Sequence, residues 1–109
     1  MLAYHRTYQA AVILRDGFRD TTGTYMTPQE WTGVWVSADW PLDENEGAGG
    51  DTVIEIDIPD ELLTTYEWVE DGKPYREALI PAAELNRHPR RILSDDELDE
   101  LSDRRWDVS

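Results

Sequence analysis

The chain has 109 residues, with ten Lys and Arg against 24 Asp and Glu, a formal net charge of −14. That length holds one hydrophobic core rather than two, and a 39% hydrophobic content with five Trp and five Tyr can pack it. The charge argues against nucleic acid or an anionic membrane as a main partner, no apolar run approaches the roughly 20 residues of a membrane span, no signal-peptide pattern opens the chain, and zero Cys excludes disulfides and thiolate metal sites. The expectation is a small cytoplasmic domain.

In chain order, Leu2 to Arg6 suits a first strand. Thr7 can cap a helix through Arg15 with Ala10, Ile13 and Leu14 on one face, stopped by Gly17 with Phe18 packing back. Residues 19–25 read as a polar loop, and Thr27-Pro28-Gln29-Glu30 as a capping box that starts a helical turn near 28–32. Gly33 to Ser37 is a β-branched, apolar run and a strand. The stretch 38–51 is the longest loop. Asp51 to Ile58 alternates, with Ile54, Ile56 and Ile58 on one face, and one helical turn follows over Asp60 to Thr64. Tyr66 to Val69 and Tyr75 to Ile80 flank an Asp71-Gly72 hairpin signal, with Tyr75, Glu77 and Leu79 pointing one way along the second arm. Ser94-Asp95-Asp96-Glu97 is a second capping box, opening a helix whose stripe is only Leu98 and Leu101. The sum is an α+β fold with one domain over 1–91 and an acidic helix or tail over 92–109.

The charge is uneven. Residues 1–38 are neutral, 39–71 hold twelve acids and no base, 72–94 carry a net +3, and 95–109 a net −5. The central block is either a solvated face or a docking surface for a basic partner.

No metal signature is present: His5 and His88 lack ligand spacing, and Asp39, Asp43, Glu44 and Glu46 lack the order of a calcium loop. Gly47-Ala48-Gly49-Gly50 has no following Lys-Ser/Thr and reads as a turn rather than a phosphate loop. Tyr25, Trp31 and Trp40 are loop aromatics, either packing or lining a cleft.

The order of pieces carries more. A strand with Tyr4-His5-Arg6-Thr7 leads to a helix ending Ile13-Leu14-Arg15-Asp16-Gly17-Phe18, then a strand Gly33-Val34-Trp35-Val36-Ser37-Ala38, and later a strand with Glu77. Over roughly residues 3–81 this resembles the His-Tyr-Glu branch of the ADP-ribosyltransferase superfamily. The resemblance implies a small, mostly antiparallel split β-sheet with one N-terminal helix, and NAD as substrate. It implies His5 on the nicotinamide ribose, Thr7 beside it, Trp35 stacking on nicotinamide, Ser37 near the ribose or amide, and Glu77 stabilising the oxocarbenium-like transition state. Arg6 stands where the family has Gly, leaving its backbone to bond the amide. The acceptor would be a protein, a nucleic acid or water, and the resemblance implies a domain of the kind often part of toxin, defence or phage-encoded systems. We further expect one of Arg6, Arg15, Arg19 or Arg76 to meet the NAD diphosphate. Each residue also has a plain role open: His5 half-buried on a strand, Trp35 in the core, Ser37 at a strand end, Glu77 in a cross-strand ion pair. The alternative function is a non-catalytic acidic module that binds a basic partner or mimics nucleic acid.

Overall fold

The computed structural model describes residues 1–24, 30–42, 49–69 and 75–106, with side chains described except at 21–24, 30–31 and 104–106. The elements are β1 (Leu2–Thr7), α1 (Ala10–Asp16), β2 (Thr21–Thr24), β3 (Glu30–Ala38), β4 (Thr52–Asp57), α2 (Asp60–Thr65), β5 (Glu67–Trp68), β6 (Glu77–Ile80), α3 (Ala82–Leu85), β7 (Arg90–Ile92) and α4 (Asp95–Trp106). Six strands form an antiparallel sheet in the order β5-β6-β3-β1-β4-β7, and β2 pairs with the first half of β3. The α+β, antiparallel class is as expected. No helix among the described residues is long and apolar enough to cross a membrane.

Local chemistry explains the helix ends. The Thr7 hydroxyl accepts the Gln9 N–H at 2.9 Å, turning the chain out of β1 and into α1. At the other end the Gly17 N–H donates to the Ile13 carbonyl at 2.8 Å, and Gly17 takes φ 91°, a region that L side chains avoid. Ala10 and Ile13 are buried, but Leu14 is exposed. The short helix turns about 100° per residue, so Leu14 swings past the stripe that meets the sheet. At Ser94 both arms of a capping box are closed: the Ser94 N–H donates to Glu97 Oε1 at 3.1 Å and the Glu97 N–H to Ser94 Oγ at 3.2 Å.

The expected loop over 19–25 contains a strand, since Thr21 to Thr24 pair with Gly33 to Glu30. The helical turn expected near 28–32 is likewise replaced at Glu30 to Thr32 by β3, while residues 25–29, Tyr25 included, lie outside the described residues. A partner strand satisfies these backbone groups in place of a cap. The two arms of the expected hairpin pair as Glu67 with Ala78 and Trp68 with Glu77, and its Asp71-Gly72 turn lies outside the described residues. Helix α3 and strand β7 have no counterpart in the expectations.

Register decides the two faces of the sheet. Directly opposed residues in antiparallel pairs share a face, and neighbours along a strand alternate. Ala3, Val36, Ala78, Ile54, Ile56 and Ile80 fall on one face, packed with Ile13, Phe18, Leu63 and Leu85 from the helical side. Tyr4, Val53 and Leu93 form a second cluster on the other, against Leu98 and Leu101 of α4. The tail is therefore docked through its thin leucine stripe.

Candidate functional site

Strand β1 is registered with β4 over six pairs but with β3 over only two, Ala3 with Ala38 and Tyr4 with Ser37. Beyond Tyr4 a side chain takes over the connection: His5 Nδ1 lies 2.7 Å from the Trp35 carbonyl oxygen. A carbonyl only accepts, so Nδ1 carries the proton and Nε2 keeps its lone pair. That bond is the imidazole's one hydrogen bond among the described residues. Burial pushes the His5 pKa down, against the Trp35 carbonyl bond that raises it, so the ring is neutral at pH 7.

A cavity of about 330 Å³ opens at this fork, walled by Val12, Ile13, Phe18 and Val34, with His5, Thr7, Gln9 and Arg19 supplying polar groups. The Phe18 ring meets the His5 imidazole edge-on at 5.6 Å between centroids. Phe18 is held in turn by Asn86, the C-cap residue that follows α3, which accepts the Phe18 N–H at 2.7 Å and donates to the Phe18 carbonyl at 3.0 Å. Next to it Asp20 accepts the Ala82 N–H at 2.7 Å. Thr7 is fixed from behind by Gly50, whose missing Cβ would sit 2.6 Å from Thr7 Cα. Gly50 thus serves a close backbone approach, while Gly47 and Ala48 lie outside the described residues.

Of the residues expected at a site, His5 and Thr7 meet in this cavity, and Trp35 borders it. The Trp35 carbonyl holds His5, whereas its indole packs edge-on against Trp68 at 5.5 Å on the opposite face. Ser37 and Glu77 stand on that opposite face, in one row with Tyr4 and Trp68. Both are buried, and the Ser37 hydroxyl donates to the Trp40 carbonyl at 2.8 Å. Arg6 shares this face, opposite Val53, and donates from Nε to the Leu42 carbonyl at 2.7 Å. Next to Glu77, Arg76 binds Glu67 at 2.9 Å, and this hydrogen bond holds the Glu67 carboxyl below the usual range.

The four arginines proposed for an anion separate clearly. Arg6 is on a carbonyl, Arg15 on Asp16 at 3.0 Å and Arg76 on Glu67, whereas Arg19 makes no hydrogen bond or ion pair among the described residues and lines the His5 cavity. Phe18 and Asn86 were not foreseen as site residues. A side-chain amide facing the two backbone groups of a distant residue leaves no periodic trace in a sequence. Among the described residues no group of three or more His, Asp or Glu is placed to hold a metal ion. Compared with protein-family models, curated proteins and solved structures, the chain matches none.

Proposed function

We propose that the protein is an ADP-ribosyltransferase-like protein that takes NAD at the fork between β1 and β3. One observation carries the binding half of this reading: a neutral, oriented His5 presents an acceptor nitrogen at an apolar cavity with an unpaired arginine on its wall. A flat ring suits Phe18, Val34 and Ile13, a sugar hydroxyl suits His5 Nε2, and an anion suits Arg19. The transfer half rests on the motif resemblance. In that chemistry the bond from the ribose C1′ to nicotinamide breaks, and nicotinamide leaves with the electron pair. An acceptor nucleophile or water then adds to C1′ and loses its proton. Glu77, which the resemblance names for the positive charge that develops on the sugar, stands on the other face of the sheet and does not line the His5 cavity, so the transfer half has no support from its position.

Purified protein incubated with NAD and followed by mass spectrometry for nicotinamide, with calorimetry for binding, tests both halves. The expected outcome is binding with slow release, and unchanged binding in Glu77→Gln, whose side chain stands on the other face of the sheet. Absence of both binding and release refutes the reading, and binding without release refutes transfer alone. The alternative, a basic partner docking on the acidic block 39–71, has less support. Glu55 and Glu67 within that block are already held by Arg91 at 3.1 Å and Arg76 at 2.9 Å, and Asp43, Glu44 and Glu46 lie outside the described residues. If that alternative holds, neutralising those three acids weakens capture of a basic partner.

A further inference from the structure

The cavity at His5 measures about 330 Å³, at the lower end of the roughly 300–1,000 Å³ typical of ligand pockets. NAD is two nucleotides joined by a diphosphate, and a space of this size suits one nucleoside unit rather than two. The polar groups have the same economy. His5 offers one acceptor, fixed by its bond to the Trp35 carbonyl, so it selects a ligand hydroxyl or amide N–H and disfavours a second acceptor at that point. Arg19 offers one fork of donors suited to a single phosphate, and its three counterparts Arg6, Arg15 and Arg76 are committed elsewhere. The same cavity is lined by the apolar Ile13, Phe18 and Val34.

From this juxtaposition we infer that the site reads a single nucleotide: a planar base against Phe18, a ribose hydroxyl donating to His5 Nε2, and one phosphate on Arg19. The inference rests on the NAD reading and deepens it, because the adenosine half of NAD then lies outside the cavity and adds little to affinity. A ring-linked ribose monophosphate is the minimal ligand.

The test is calorimetry of the intact chain with four probes: NAD, nicotinamide mononucleotide, the same nucleoside without its phosphate, and ADP-ribose. The mononucleotide is expected to bind within about tenfold of NAD, and the nucleoside about tenfold or more below the mononucleotide, as a charge-assisted hydrogen bond contributes. Arg19→Ala should bring the mononucleotide down to the level of the nucleoside. Arg15→Ala, at an exposed residue paired to its neighbour Asp16, should leave all four unchanged. Arg19 is itself exposed, so its truncation spares the fold, and unchanged thermal unfolding of Arg19→Ala checks this. NAD binding more than about tenfold tighter than the mononucleotide, or an unaltered mononucleotide affinity in Arg19→Ala, overturns the inference while the NAD reading stands. If NAD, the mononucleotide and ADP-ribose all fail to bind, the NAD reading itself falls.

Discussion

The two faces of the one sheet are finished in opposite ways. Toward α1, α2 and α3 the strands turn Ile54, Ile56, Ile80, Val36 and Ala78, all fully closed off from solvent. Toward α4 they turn Tyr4 and Val53, joined by Leu93, and the helix is laid across them by Leu98 and Leu101 with ionic help. Arg91 lies 3.1 Å from Glu55 and 2.6 Å from Glu97, tying strand to strand and strand to helix. One face is closed by apolar area, whose stabilisation involves no titrating group. The other adds ion pairs centred on the exposed Arg91 guanidinium, where screening leaves each pair worth little. The same strands supply both because side chains alternate. His5 belongs to the dry face and Glu77 to the other.

The difference is open to measurement. The largest effect is expected from Ile56→Ala on the dry face, at about 3–4 kcal/mol by denaturant unfolding. Leu98→Ala on α4, where the side chain is only half-buried, should cost about 1 kcal/mol. Equal losses would dissolve the contrast. Gly50→Ala comes between them, at about 2 kcal/mol, because a Cβ there meets the Thr7 backbone and the residue sits at φ 155°. It should also disturb the His5 cavity, visible as chemical-shift changes at Thr7 and Gln9. The smallest effect concerns acid. The Arg91 and Ser94 contacts hold the Glu97 carboxyl down from 4.5 to about 2. A folded value below the unfolded one means the stabilisation is complete above pH 4.5 and drains away as pH falls toward 2. Amide protection should therefore be lost in α4 before α1 on acidification, and Glu97→Gln should lower α4 protection already at pH 6.

Much of this architecture can be read from residue order, and the misses have physical causes. The Gly17 stop, the alternation of Ile54 and Ile56 and the Ser94 capping box are local signals, complete within one turn or one strand, and each forms as read. The box at Thr27 to Glu30 is equally local, yet Glu30 to Thr32 are in β3, since β2 offers a full ladder and outweighs a cap. The site is less legible still. Alternation tells which residues within one strand share a face, but only register tells that His5 stands opposite Ile54 while Glu77 stands opposite Ser37. That Arg19 is the arginine left over likewise depends on partners that the other three find elsewhere in the chain.

The double hydrogen bond between Asn86 and Phe18 carries a consequence for how any ligand would arrive. An amide side chain there takes the place of a neighbouring strand, so the cavity wall is fastened to α3 by bonds made during folding. Asp20 on the Ala82 N–H adds a second fastening one turn away. A ligand entering beside His5 thus meets a wall that is already ordered, and loop closure takes little from its affinity. Association at this fork is then governed by encounter and orientation rather than by rearrangement of the protein.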